Sequence, residues 1–187
     1  MKPSAPTVVL VGLMGTGKST VAWELSRHYR IPLLDTDKIV EQVAGKSVRE
    51  IFAEEGEPAF RALESDVLVQ CLHQPDGAVV AGAGGVVLEE RNRDAINASR
   101  RDGTVVVWLT ATTDVLADRT AKGAHRPLLD DDRRGVLAEM ARVREPLYRE
   151  IADVIVDVSD RSVESVAELV VQSIEAMRSM AGGEETR

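Results

Sequence analysis

The sequence is poor in cysteine and in aromatic residues, and both shortages narrow the class of protein. Cys71 is the one cysteine among 187 residues, which excludes an internal disulfide and predicts a reducing, cytoplasmic environment. Aromatic side chains make up only 3% of the residues, so the core must be built from Val, Leu, Ile and Ala. This composition favours a parallel sheet buried between helices.

The sequence also lacks a membrane-length apolar run, a signal-peptide pattern and an excess of basic charge. We therefore expect neither membrane insertion nor, at a net charge of -8, a nucleic-acid partner. Arginine supplies 18 of the 23 basic residues, and arginine suits bidentate contacts to small anions. Codon bias in a GC-rich genome is the alternative explanation of that excess. The length predicts one domain with a sizeable core.

A glycine-rich stretch after an apolar run predicts a phosphate-binding loop. Residues 8–11 are apolar and mostly β-branched, and residues 12–19, GLMGTGKS, fit the pattern G-x-x-x-x-G-K-[ST]. Glycines let backbone N–H groups turn towards an anion, and the helix that follows points its positive end at the same anion. Lys18 can reach the outer phosphates, and the Ser19 hydroxyl can ligate Mg²⁺. The loop predicts a nucleoside triphosphate without identifying the acceptor.

Apolar periodicity predicts strands that alternate with helices along the whole chain. The predicted strands are 7–11, 31–34, 78–81, 104–109 and 153–158, and the predicted helices include 18–29, 38–44, 59–72, 89–99, 113–120, 136–150 and 163–180. Ser47, with Glu50 at the capping-box position, predicts the start of another helix. Alternation predicts a three-layer α/β fold with a five-stranded parallel sheet, whose ligands lie beyond the carboxyl ends of the strands.

Two acids, Asp35 and Asp37, follow the second predicted strand. The fourth predicted strand ends without an acid and the third ends in glycines, so these two are the best strand-end candidates for Mg²⁺. At the turn that leaves the strand, one carboxylate can serve the metal while the other faces a substrate. The alternative is a helix cap, with Thr36 or Asp37 opening the next helix. The base-reading motif N-K-x-D is missing, which argues against a regulatory GTPase.

Several arginines and a second glycine-rich loop, residues 82–85, are weaker candidates. The loop can bring backbone N–H groups close to a small ligand, or it can be a plain tight turn. Arg61 and Arg144, taken alone, favour solvated helix faces. The polar segment 121–135 has glycines near its ends and predicts a mobile lid, whose Arg126 can close on transferring phosphates.

Together these motifs resemble shikimate kinases over nearly the whole chain. The resemblance is carried by GLMGTGKST at 12–20, LLDTD at 33–37, IFAEEGEPAFRALE at 51–64, AGAGGVV at 81–87, RPLL at 126–129 and REPLY at 144–148. The first motif is common to many kinases, and the remaining set is much more specific. The resemblance implies a P-loop kinase fold and ATP-dependent phosphorylation of the 3-hydroxyl of shikimate in aromatic amino-acid synthesis. We also expect a monomer.

The resemblance also implies roles for individual residues. Shikimate would meet Asp37, Arg61, Gly84, Gly85 and Arg144, within a domain whose helical region 37–75 binds the substrate. ATP would meet Gly15, Thr16, Gly17, Lys18, Ser19, Thr20 and Arg126, with Arg119 and Arg161 on the adenine side. Mg²⁺ would be held by Ser19 and, through water, by Asp35. Asp37, Lys18 and Arg126 would carry catalysis.

One departure from the family lies in the second glycine-rich loop. The family usually shows three consecutive glycines there, and this chain has Ala83 as the first of the three. Gly84 and Gly85 remain, so contact through the backbone is expected to survive. The methyl group of Ala83 is expected to tighten the pocket.

Two other functions remain open at this point. A related small-molecule kinase, such as a gluconate kinase, would share the P-loop and the lid but should lack the pair Arg61 and Arg144. A degenerate nucleotide-binding module without activity would have lost Lys18, Asp37 or Arg126, and all three are present.

Overall fold

The computed structural model describes residues 5–121 and 132–183, and it contains a five-stranded parallel sheet. The strand order is β2-β3-β1-β4-β5. The strands are β1 (Val8–Val11), β2 (Leu33–Asp35), β3 (Val79–Ala81), β4 (Val105–Thr110) and β5 (Val154–Asp157). This confirms the predicted sheet and places β1, which leads into the P-loop, at its centre.

Helices cover both faces of the sheet in the described part of the chain. They are α1 (Lys18–Tyr29), α2 (Thr36–Ala44), α3 (Val48–Glu54), α4 (Gly56–Leu72), α5 (Glu90–Arg101), α6 (Thr113–Ala121), α7 (Arg133–Ile151) and α8 (Val163–Gly183). Across residues 5–121 and 132–183, every helix is too short or too polar to cross a bilayer.

The side chains of each strand alternate between two hydrophobic cores. Val8 and Leu10 of β1 face the core formed with α1 and α8, and Val9 and Val11 face the core formed with α4, α5 and α7. Because both faces are covered, all four residues of β1 are fully buried. The short apolar strand can therefore hold the P-loop at a fixed place on the sheet.

The observed boundaries correct the prediction at three helix starts. α2 begins at Thr36, two residues earlier than predicted. α4 begins at Gly56 and includes Pro58, because proline is tolerated in the first turn, where its missing N–H has no helical partner. α7 begins at Arg133, since Asp132 caps it by accepting a hydrogen bond from the N–H of Gly135 at 2.9 Å.

The third correction shortens the predicted lid. Ala121 is the last residue of α6, and residues 133–135 form the first turn of α7. Asp132 is the cap of α7, and residues 122–131, including Arg126, lie outside the described residues.

Candidate active site

The carboxyl ends of the central strands open into one cavity of about 1040 Å³. Its walls come from the P-loop, α2, α3, α4, the loop after β3, α6 and α7. We call the part of the cavity lined by P-loop residues the phosphate end. We call the part lined by Asp37, Arg61, Gly84 and Arg144 the acceptor end. A cavity of this size has room for two small ligands side by side.

The P-loop is shaped by glycines in the left-handed region of backbone space. Gly12, Gly15 and Gly17 have φ angles of 140°, 86° and 85°. A side chain at Gly12 would place its Cβ 2.2 Å from the carbonyl oxygen of Leu109 in β4. The Thr16 hydroxyl donates to the Leu13 carbonyl at 2.8 Å and closes the loop from inside. The conformation of the P-loop is therefore fixed by its own backbone and by the neighbouring strand β4.

The side chain of Lys18 lies back over this loop. Its Nζ donates to the carbonyl oxygens of Gly12 at 2.8 Å and Leu13 at 3.0 Å. The predicted nucleotide-binding residues of the P-loop and the start of α1 that line the cavity are Gly15, Gly17, Lys18, Ser19 and Thr20. Thr16 is buried and absent from the cavity wall.

Ser19 and Asp35 lie together at the phosphate end, as predicted for a metal pair. The Ser19 hydroxyl donates to Asp35 Oδ2 at 3.0 Å. Asp35 also caps α2, accepting from the N–H of Lys38 at 3.4 Å, so the cap is Asp35 and the expectation of Thr36 or Asp37 in that role is wrong. Within the described ranges, His, Cys, Asp and Glu form no group of three that would hold a metal by itself.

These two oxygen donors fit Mg²⁺. Mg²⁺ prefers hard oxygen ligands and takes one or two protein groups together with phosphates and water. Ser19 and Asp35 would therefore supply the protein's part of such a site, with phosphates and water as the remaining ligands.

Asp37 lies in the first turn of α2 and is exposed to the cavity. Partial desolvation of its carboxylate by the surrounding protein raises the pKa of Asp37, and the negative charge of Asp35 raises it further. Lys18 opposes this effect. Asp37 is thus a carboxylate whose basicity is increased by its surroundings, which suits a group that receives a proton.

Arg61 does not lie on a solvated helix face. Its side chain is 14% exposed, and its guanidinium donates to Glu57 Oε1 from Nε and Nη2 at 3.2 and 3.1 Å. Nη1 donates to Glu64 Oε2 at 2.8 Å. The ring of Phe60 lies 5.1 Å below. The guanidinium is therefore held in place before any ligand binds, with N–H groups remaining for an incoming anion.

Two contacts of Arg61 were not predicted from the sequence: the ion pair with Glu64 and the close approach to Gly85. Glu64 is 0% exposed, and its Oε1 has no hydrogen-bond partner among the described residues. Burial raises the pKa of Glu64, and the charge of Arg61 acts against that rise. A Cβ at Gly85 would lie 2.5 Å from Arg61 Nη1. The helical spacing of Glu57, Arg61 and Glu64 was the available signal.

The second glycine-rich loop is joined to α7 through one carbonyl. Gly84 C=O accepts hydrogen bonds from Arg144 Nη1 at 3.1 Å and from the Tyr148 hydroxyl at 2.5 Å. Tyr148 is fully buried. Ala83 lines the cavity with 6% exposure and has an ordinary negative φ, so alanine fits this position without backbone strain.

The two predicted adenine-side arginines are placed differently. Arg119 lines the cavity, and its Nη2 donates to the carbonyl oxygens of Val158 at 2.8 Å and Ser159 at 3.4 Å. Arg161 is exposed and is not part of the cavity wall. The structure therefore brings Arg119 to the phosphate end and leaves Arg161 apart from it.

Comparison with known proteins supplies an independent line of evidence. The sequence pattern of the family described as shikimate kinase matches residues 14–175. A shikimate kinase from Pseudomonas syringae pv. tomato is 42% identical over 155 residues, covering 82% of this chain and 87% of that protein.

Solved structures agree with this match. Shikimate kinase from Acinetobacter baumannii in complex with shikimate superposes with a TM-score of 0.85 at 30% identity, covering 93% of this chain and 95% of that one. A gluconokinase from Sinorhizobium meliloti 1021, at 16% identity and a TM-score of 0.58, shares the fold alone; the alignment covers 97% of this chain and 98% of that one.

Proposed function

The chain belongs to the shikimate kinase family, and we propose that it transfers the γ-phosphoryl group of ATP to the 3-hydroxyl of shikimate in the cavity described above. The observation that carries this proposal is the two-ended cavity, with a P-loop at one end and Asp37, Arg61 and Arg144 at the other. Its activity serves aromatic amino-acid synthesis in the cytoplasm, where we expect a monomer.

The acceptor end fits the chemistry of shikimate. Shikimate carries one carboxylate and several ring hydroxyls, and paired guanidinium groups recognise a carboxylate through bidentate hydrogen bonds. Arg61 and Arg144 both line this end, beside the backbone of Gly84 and Gly85. They belong to the wall formed by the helical region 37–75 and by α7. We assign the carboxylate to this pair.

Asp37 then serves the reacting hydroxyl. Its carboxylate accepts a hydrogen bond from the 3-hydroxyl, aligns the oxygen with the γ-phosphorus, and receives the proton as the new P–O bond forms. The raised pKa of Asp37 favours that last step, because a more basic carboxylate is a better proton acceptor.

The phosphate end serves the nucleotide. Backbone N–H groups of residues 15–20 bind the phosphates, Lys18 neutralises charge on the transferring group, and Arg119 forms the wall on the nucleotide side. Ser19 and, through water, Asp35 would hold Mg²⁺, which would neutralise phosphate charge and orient the triphosphate. Arg126 is proposed from the sequence as a further phosphate contact and Arg161 as an adenine-side contact.

The reaction is tested by an ADP-release assay over a panel of acceptors. We expect turnover with MgATP and shikimate, and none above background with gluconate or nucleoside monophosphates. The product should carry its phosphate on the 3-hydroxyl, which ³¹P and ¹H NMR can locate. Equal rates with shikimate and gluconate would reject shikimate as the specific acceptor and would support only a kinase of undefined acceptor.

A further inference from the structure

We propose that Thr36 is a positioning residue, whose buried hydroxyl ties the turn that carries Asp35 and Asp37 to the second glycine-rich loop. The tie fixes the distance between the carboxylate that serves the reacting hydroxyl and the loop that holds the rest of the acceptor. This inference rests on the proposed phosphorylation of shikimate.

The hydroxyl of Thr36 makes two hydrogen bonds to the strand β3 and the loop that follows it. It donates to the carbonyl oxygen of Ala81 at 3.3 Å and accepts the N–H of Ala83 at 3.0 Å. Thr36 is 0% exposed. Both partners are backbone groups of the segment that leads to Gly84, so this side chain closes the gap between α2 and the loop.

Local helix chemistry does not account for this hydroxyl. A threonine at the start of a helix commonly caps it, but Asp35 performs that role here. The Thr36 hydroxyl instead reaches partners 45 and 47 residues away in the sequence. Its contribution is therefore to tertiary structure at the acceptor end.

The tie continues through the loop into α7. Ala83 is followed by Gly84, whose carbonyl accepts from Arg144 and Tyr148. The helices α2 and α7 are thus joined through the backbone from Ala81 to Gly84. A rigid connection of this kind matters because misplacement of reacting groups by about 1 Å lowers rates by about 100-fold.

A pair of substitutions separates the hydroxyl from the volume of the side chain. Thr36→Val keeps the shape and removes both hydrogen bonds, whereas Thr36→Ser keeps the hydroxyl and removes a methyl group. We expect Thr36→Val to lower kcat/KM for shikimate by roughly 10- to 100-fold while KM for ATP stays within about twofold. Thr36→Ser should retain kcat/KM within about threefold even where its melting temperature is lower.

The matched control is Thr104→Val at the other end of the sheet. Thr104 is also buried, and its hydroxyl shares a hydrogen bond with Ser99 far from the cavity. Its removal should lower the melting temperature and leave both kinetic constants unchanged. If Thr36→Val does not accumulate as folded protein, Thr36→Ala and Thr36→Ser, which differ by the hydroxyl alone, make the same comparison.

The outcomes are distinct. Activity that follows the hydroxyl, low in valine or alanine and retained in serine, supports the positioning role. Activity that falls in all variants in proportion to lost stability, or a valine variant with wild-type kcat/KM, would overturn it. A wild-type protein without shikimate turnover would instead reject the proposed function.

Discussion

The two ends of the cavity are built in different ways. The phosphate end comes mainly from one continuous stretch, the P-loop and the start of α1, with Asp35 and Arg119 added from β2 and α6. The acceptor end collects Asp37, Arg61, Gly84 and Arg144 from four separate elements. A continuous motif can be inherited by many kinases with different acceptors, whereas an assembled site depends on the whole fold. We therefore expect the residues of the acceptor end to determine which acceptor is phosphorylated.

The glycines of the two ends illustrate the same difference. Gly12 is needed by the protein itself, because a Cβ would collide with the Leu109 carbonyl. At Gly84 a Cβ would meet protein atoms only at 3.6 Å or more, which is ordinary contact. The absent side chain at Gly84 thus leaves space for a ligand.

The largest expected effect concerns Asp37. Asp37→Asn preserves shape and removes the charge that aligns the hydroxyl and receives its proton, so kcat should fall by about 100-fold or more. Steady-state kinetics with varied shikimate and ATP measures the loss, and ATP binding should be little changed. Asp94→Asn, at an exposed position of α5, is the control. A near-normal kcat in Asp37→Asn would reduce Asp37 to a structural residue.

The glycine comparison gives the next effect. Gly84→Ala should raise KM for shikimate by roughly tenfold or more through overpacking of the ligand space, with an unchanged melting temperature. Gly12→Ala should lower the melting temperature by about 5 °C or more, because it forces a side chain into a strained, occupied position. Thermal unfolding and steady-state kinetics of both variants test this difference between the two glycines. A lowered melting temperature in Gly84→Ala would contradict it.

The metal pair should produce a smaller effect. Ser19→Ala removes one oxygen donor and one hydrogen bond to Asp35, so half-maximal activity should require roughly fivefold more Mg²⁺. Titration of Mg²⁺ at fixed ATP measures it, and chelation should abolish turnover in both proteins. Ser26→Ala, whose hydroxyl bonds the Ile31 carbonyl away from the cavity, should not change the requirement. An equal increase in the Mg²⁺ requirement of both variants would show that Ser19 is not a metal ligand.

The smallest effect concerns the pH dependence. Asp37 works in its charged form and its pKa is raised, so kcat/KM for shikimate should decline with acid at a higher pH than an ordinary aspartate would give. Glu41 contributes to that rise. Glu41→Gln keeps the acceptor for the Val48 N–H and removes the charge, so the acid limb should move to lower pH. A limb that stays in place would show that Asp37 does not titrate there.

The sequence predicted local features well and the assembly of distant ones poorly. The P-loop, the capping box of Ser47 and Glu50, and the alternation of strands with helices depend on neighbouring residues, and the structure confirms them. Arg61 illustrates the limit. Its own helix favours a solvated face, and only the fold shows that Glu57, Glu64 and Gly85 enclose it.

The tie from Thr36 to Ala83 shows why the remainder was missed. Its two partners are 47 residues apart, and no periodicity along the chain marks either of them. The same holds for Tyr148, whose hydroxyl reaches Gly84 over 64 residues. Such contacts are determined by how α2 and α7 pack at the carboxyl edge of the sheet.

The central claim is that the acceptor end recognises the carboxylate group of the acceptor molecule, and one set of measurements tests this claim directly. kcat/KM is measured for shikimate and for the analogue whose carboxylate is replaced by a hydroxymethyl group, in wild-type protein, Arg61→Lys and Arg49→Lys. Arg49 lines the same cavity and, across the described ranges, makes no hydrogen bond or ion pair, which makes it a matched control.

Lysine retains the charge of Arg61 and loses its planar fork, which should cost about 1.5–3 kcal/mol with shikimate, or about 10- to 150-fold. With the analogue, already a poor substrate, Arg61→Lys should change kcat/KM by less than about threefold, and Arg49→Lys should change neither value. An equal loss with both substrates, or no loss with either, would contradict carboxylate recognition by Arg61.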